Sequence, residues 1–181
     1  MKLFSAHNLS FEINSGEGLH IKGGNGSGKS TLLRIILGIT SPSKGLIQAY
    51  DQDLKISYLG HKNAIKNYLT PIENLDLLFS GDELNLAFEW LNKFGLSHVQ
   101  DELTASLSFG QQKKLALIRV LAQSSDLLVL DEPFVGLDQA TADQLNSFLA
   151  QKISQGVGLI LTSHITPMID CEVLDLGAKN A

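Results

Sequence analysis

The segment Gly23-Gly24-Asn25-Gly26-Ser27-Gly28-Lys29-Ser30 constrains this chain more than any other. It fits G-x-x-x-x-G-K-[ST], a pattern whose glycines let the backbone fold so that several N–H groups converge on an anion. Before it, Leu19-His20-Ile21-Lys22 alternates like a strand; after it, Lys29 to Leu37 reads as a helix that Gly38 is placed to end. The positive end of that helix points where the loop N–H groups point. Strand, glycine loop and helix in that order read as a phosphate-binding loop. Lys29 then supplies a cation for the β- and γ-phosphates, Ser30 offers a hydroxyl to Mg²⁺, and Thr31 follows in the first turn. Leu32, Leu33, Ile35, Ile36 and Leu37 cover most of the circumference, so the helix is expected to be buried on nearly all sides.

Elsewhere short apolar runs alternate with longer helical stretches, which predicts an α/β fold with a mainly parallel sheet. Residues 62–105 differ. Thr70-Pro71-Ile72-Glu73 has a hydroxyl cap, a first-turn proline and a glutamate three residues on, the signature of a helix start. A second helix is expected from Asp82 to Phe94, with Leu84, Phe88, Leu91 and Phe94 at helical spacing and Gly95 as its stop. No strand is evident there, so 62–105 is read as a helical subdomain inserted in a single domain over 1–181. Beyond it come a helix from Ser108 to Gln123, a strand Leu127 to Leu130, a helix from Ala140 to Ser154, and strands Val157 to Thr162 and Val173 to Leu176.

Leu127-Leu128-Val129-Leu130-Asp131-Glu132-Pro133 complements the loop. A strand covered on both faces and ending in a carboxylate can place Asp131 beside a metal at the strand's C-terminal edge, where ligands bind in open α/β sheets. Glu132, one residue on, can reach a water attacking the γ-phosphate.

Composition narrows the setting. The 181 residues carry a net charge of −5, without the broad basic face of a nucleic-acid binder, so no nucleic-acid partner is expected. No apolar run approaches the roughly 18–20 residues that span a bilayer. The start, Met1-Lys2-Leu3-Phe4-Ser5, does not read as a secretory signal. The lone Cys171 cannot form an internal disulfide. These features point to a reducing, cytoplasmic setting and leave docking onto a membrane protein open.

Leu107-Ser108-Phe109-Gly110-Gln111-Gln112-Lys113 resembles the signature sequence of ABC-type ATPases. Gly136-Leu137-Asp138 is similar to that family's D-loop, and His164 to its switch histidine. The elements stand in family order, and the resemblance covers nearly the whole chain. It implies a P-loop NTPase core that binds and hydrolyses ATP with Mg²⁺ held by Ser30 and Asp131. Two copies would pair head to tail when nucleotide is bound, each nucleotide lying between one copy's loop (Gly23 to Thr31) and the other's Ser108, Gly110, Gln111 and Asp138. Glu132 would orient or deprotonate the water and His164 would contact the γ-phosphate. An integral membrane subunit would be the partner, met at the cytoplasmic side of the bacterial inner membrane.

A narrower resemblance lies in Tyr58-Leu59-Gly60-His61-Lys62, Ile65-Lys66, Leu69-Thr70, Glu73-Asn74-Leu75 and Asp131-Glu132-Pro133-Phe134. These look like the ATP-binding subunits of the haem exporter of cytochrome c biogenesis. In most ABC ATPases a glutamine stands where His61 stands; a histidine resembles the haem-exporter subgroup, and its expected role is catalytic, touching metal or water.

Three departures matter. Phe109 stands where the general signature has glycine, and its ring either crowds a phosphate or points away. The glycine loop begins a dozen or more residues early, leaving Phe4 and Phe11 as nearby aromatics for adenine, though both read better as core. No regulatory extension is expected after Leu176. A repair-type ABC ATPase is disfavoured because only 77 residues, without sustained heptads, separate Lys29 from Leu107. The translation type carries two such domains in one chain. A regulatory module of low turnover would be expected to lack Glu132.

Overall fold

The computed structural model describes residues 2–5 as backbone, 9, 11–49 and 53–177. The chain divides into two compact units, one of Met1–His61, Ser125–Pro133 and Gln144–Ala181, the other of Lys62–Ser124 and Phe134–Asp143.

The first unit is built on a parallel sheet of order β4-β5-β6-β3-β7, with β3 Gly18–Lys22, β4 Ile56–Leu59, β5 Leu127–Asp131, β6 Gly158–Thr162 and β7 Glu172–Asp175. A separate antiparallel pair joins β1, Lys2–Ser5, to β2, Glu12–Asn14. β5 and β6 are buried at every residue, as apolar runs covered on both faces must be. β3 departs from its expected alternation: Leu19, His20 and Ile21 are all buried. It is a central strand, paired with β6 and β7, in a parallel sheet, and such sheets are covered on both faces.

Helix α1, Lys29–Ile36, packs Leu33 and Ile36 into a core with Phe11, Ile13, Leu19, Ile21, Leu127, Val129 and Ile160. Its other faces do not match the expected all-round burial: Thr31 and Arg34 are exposed, and Leu32, Ile35 and Leu37 only half-buried. One face is enough to cover the sheet. Phe11 is taken up by this core. The side chain of Phe4 lies outside the described residues.

The second unit is helical. α2, Pro71–Asp76, starts in the expected capping box: Thr70 Oγ1 accepts the Glu73 N–H at 3.2 Å, and a Glu73 carboxylate oxygen accepts the Thr70 N–H at 2.8 Å. α3, Gly81–Lys93, buries Ala87, Trp90 and Leu91 and gives way to Gly95 at φ 68°, a conformation glycine adopts without strain. Short 3₁₀ turns at Ser97–Val99 and Thr104–Ser106 lead to α4, Phe109–Leu121. α4 packs on α3 and buries Leu115, Ala116, Leu117, Ile118, Val120 and Leu121. This packing carries the unit past residue 105, through 124. α5, Gln139–Ser154, follows the D-loop segment.

Asn74 holds the second unit's loops together. Buried, its side chain accepts the Lys66 N–H at 2.8 Å and donates to the carbonyls of Lys66 and Thr70, both at 3.0 Å, and to Thr104 Oγ1 at 3.2 Å. Asn74→Ala leaves these buried groups without partners and is expected to cost about 2–3 kcal/mol. Chemical denaturation of the two proteins side by side measures it.

Candidate active site

The parallel register sets the site. Asp131 ends β5 beside Thr162 at the end of β6, and Thr162 pairs across with Ile21 of β3. Three strands therefore deliver their C-terminal ends to one edge: β3 into the glycine loop, β5 into Asp131 and Glu132, β6 into Thr162 to His164. A cavity of about 300 Å³ opens there, lined by Asn25, Gly26, Ser27, Gly28, Lys29, Ser30, Thr31, His61, Asp131, Glu132 and His164.

The loop takes its shape from glycine where no other residue fits. Gly23 has φ 154°, and a Cβ there would run into the Ser27 hydroxyl. Gly28, at φ 96°, is the residue from which α1 starts. Lys29, 8% exposed, folds back over the loop: its Nζ donates to the Gly23 carbonyl at 2.8 Å and the Gly24 carbonyl at 3.2 Å, and stands 3.7 Å from Glu132 Oε1. The ammonium is thus already at the loop's rim, on acceptors that a phosphate can replace.

The two carboxylates meet in Thr162, whose part sequence reading missed. Its hydroxyl donates to Asp131 Oδ1 at 2.7 Å and accepts the Glu132 N–H at 2.9 Å. Glu132 sits at φ 48°, a left-handed conformation that costs a non-glycine residue about 1–3 kcal/mol and persists only where its surroundings fix it. Asp131 Oδ2 is buried and has no hydrogen-bond partner within the protein. His164 closes the far side: its N–H donates to Glu132 Oε2 at 3.3 Å and its Nε2 lies 3.3 Å from Oε1, on a ring 48% exposed. His61, exposed, follows β4 and lines the same cavity. Gly23 and Gly24 stand behind the cavity wall as acceptors for Lys29.

Ser108, Gly110, Gln111 and Asp138 belong to the second unit and form a group of their own. Ser108 caps α4 in a second capping box: its Oγ accepts the Gln111 N–H at 3.3 Å, and the Gln111 side-chain oxygen accepts the Ser108 N–H at 2.8 Å. A Cβ on Gly110 would lie 2.8 Å from the Gly136 carbonyl oxygen, so the signature and the D-loop touch backbone to backbone. The Phe109 ring lies across Gly136, where an added Cβ would stand 2.6 Å from its Cε1. Asp138 accepts from Lys114 Nζ at 2.6 Å and from the Thr141 N–H at 2.8 Å. Lys114, with Thr141 second, holds the Asp138 carboxyl well below the usual carboxylate range.

Comparison with known proteins places this geometry. Residues 6–135 match the family model described as ABC transporter. The cytochrome c biogenesis ATP-binding export protein CcmA of Idiomarina loihiensis is 37% identical over 169 residues, covering 87% of this chain and 77% of the relative. CcmA of Escherichia coli strain K12 is 37% identical over 171 residues, covering 90% and 82%. Among solved structures, an ATP-binding cassette in a dimeric post-hydrolysis state bound to ADP and Pi is 25% identical with a TM-score of 0.74, over 90% of this chain and 86% of that one. An ATP binding subunit of an ABC transporter, at 24% identity, has the same fold with a TM-score of 0.79, over 90% and 80%.

Thr162→Val keeps the shape and removes the hydroxyl. It deprives Asp131 of a charged hydrogen bond worth about 1.5–3 kcal/mol and leaves the strained Glu132 N–H unpaired. The expected result in a steady-state ATPase assay is a kcat lowered roughly tenfold or more, by about 1.4 kcal/mol per decade, with the KM for ATP little changed.

Proposed function

Because this chain belongs to the ABC transporter family, we propose that it is the ATPase subunit that powers the haem-export step of bacterial cytochrome c biogenesis through a separate membrane subunit. The observation that carries this reading is identity to CcmA proteins at 37% over about nine-tenths of the chain, with Tyr58 to Lys62 leading His61 to the phosphate cavity. Among the described residues no helix is long and apolar enough to cross a membrane, in keeping with a transporter whose spans lie in another chain.

In this mechanism the loop N–H groups and the N-terminus of α1 hold the phosphates. Lys29 exchanges the Gly23 and Gly24 carbonyls for β- and γ-phosphate oxygens. Glu132, set by Thr162, orients the attacking water and takes its proton, while His164 contacts the γ-phosphate. The task is positioning and charge stabilisation. Mg²⁺ fits the buried, unpartnered Asp131 Oδ2 with Ser30 on the same cavity, where it would neutralise phosphate charge. His61, on the same cavity, would reach the metal or the water from the β4 side. Ser108, Gly110, Gln111 and Asp138 meet the nucleotide of a second copy, which makes the dimer depend on ATP. The membrane subunit docks on the helical unit, where Tyr68, Leu77, Leu78 and Leu103 expose apolar surface. Tyr68 and Leu103 stand on one lacing, Thr104 N–H to the Leu69 carbonyl and Ala105 N–H to the Asn67 carbonyl. The chain then works from the cytoplasmic face of the inner membrane.

Two substitutions separate binding from turnover. Lys29→Ala removes charge-assisted bonds worth about 1.5–3 kcal/mol, so ATP affinity falls roughly ten- to a hundredfold. Glu132→Gln preserves shape but accepts no proton, so kcat falls by about two orders of magnitude or more while ATP binding and an ATP-dependent dimer persist. Nucleotide titration and sedimentation read the two outcomes; normal turnover by Glu132→Gln overturns the assignment.

Docking is tested by co-expression with the neighbouring membrane subunit. Tyr68→Glu and Leu77→Glu are expected to abolish co-purification while sparing ATP binding. Crosslinks from the membrane subunit that land only on residues 157–162 contradict this surface.

A further inference from the structure

His20 sits inside β3, 1% exposed, and takes no part in the mechanism above. Its Nε2 lies 3.0 Å from the carbonyl oxygen of Ser163. A carbonyl only accepts, so Nε2 carries the hydrogen. Burial lowers the imidazole's pKa and so favours the neutral ring; the Ser163 bond opposes this, Lys22 adds to it and Glu132 opposes it. The bond therefore comes from one neutral tautomer.

What the bond holds is the turn that carries His164. β3 and β6 run in register through His20–Leu161 and Ile21–Thr162, and β6 ends at Thr162. Ser163 is the first residue past the strand, buried, with its hydroxyl accepting the Ile165 N–H at 3.0 Å. The next residue, His164, reaches Glu132 through both its backbone N–H and its ring. With its carbonyl held by His20 and its hydroxyl by the Ile165 N–H, Ser163 restrains the backbone on either side of His164.

We propose that His20 is a positioning residue for the γ-phosphate end of the site: its Nε2–H tethers the Ser163 carbonyl and so sets the backbone of His164 against Glu132. The tether acts on arrangement, so it bears on turnover and leaves nucleotide binding to the glycine loop. This rests on the roles given to His164 and Glu132 above.

The test compares His20→Gln, His20→Asn and His20→Leu in the full chain. A glutamine amide nitrogen reaches about as far as Nε2 and donates as it does; asparagine stops near Nδ1, and leucine has no donor. His20→Leu and His20→Asn are expected to lower kcat about three- to tenfold, the range of one lost neutral hydrogen bond, with the KM for ATP unchanged. Amide exchange over residues 163–165, followed by mass spectrometry, is expected to quicken in both. His20→Gln restores both readouts to near the parent. Thermal unfolding checks each variant, and if the leucine protein does not fold the asparagine protein carries the comparison. Parental kcat and exchange in the asparagine variant overturn the proposal, as does a glutamine variant no better than asparagine, or a change confined to KM. His164→Ala, assayed alongside, tests the underlying role: parental turnover there removes His164 from the mechanism, whereas the exchange readout judges the His20 tether independently.

Discussion

Everything at the phosphate end hangs on the parallel register of β3, β5 and β6. Parallel strands point the same way, so the loops that leave them emerge on one edge. The pairings Asp131–Thr162 and Ile21–Thr162 level the three strand ends to within a residue. A one-residue slip would turn Asp131 and Thr162 to opposite faces and break the hydroxyl bridge between them. The full burial of β5 and β6 makes such a slip costly, so the core that stabilises the sheet also aligns the chemistry.

Local features were legible where local forces decide them. The glycine loop, the Thr70 capping box, Gly95 after α3 and the buried run of β5 follow from neighbours within a few residues, and the structure has each. Ile56-Ser57-Tyr58-Leu59 gave no strand signal, because Ser57 interrupts the apolar run; it is a strand through pairing with β5, about seventy residues on. The alternation at His20 misled for the same reason, since a central parallel strand buries its polar residue too. Thr162 and His20 act on groups 31 and 143 residues away, and no spacing rule announces such contacts. Of the candidate site, the glycine loop and the adjacent carboxylates on one strand end could be read in advance; what holds them in place could not.

Glu132 shows why that distinction matters. Its left-handed backbone is unfavourable alone, and its side chain faces Lys29 on one side and His164 on the other. Thr162 restrains the backbone, Lys29 supplies opposite charge, and the His164 N–H takes one carboxylate oxygen. Two of these restraints come from the end of β6 and the third from the loop and helix that follow β3. In the proposed mechanism a carboxylate so held needs little rearrangement when charge develops on the γ-phosphate, the condition under which fixed electrostatics lowers a barrier.

The second unit solves a related problem by different means. Its signature turn and D-loop are both glycine-bearing and exposed, and such segments are usually the loosest in a fold. Here the Gly110 backbone abuts the Gly136 carbonyl, the Phe109 ring fills the space a Cβ would occupy on Gly136, and Lys114 clasps Asp138, which itself caps α5. With glycine at 109, as in the general signature, Gly136 would keep that space and its freedom. The phenyl ring, 62% exposed, closes it off. The departure at 109 therefore pins the signature turn to the D-loop of its own chain.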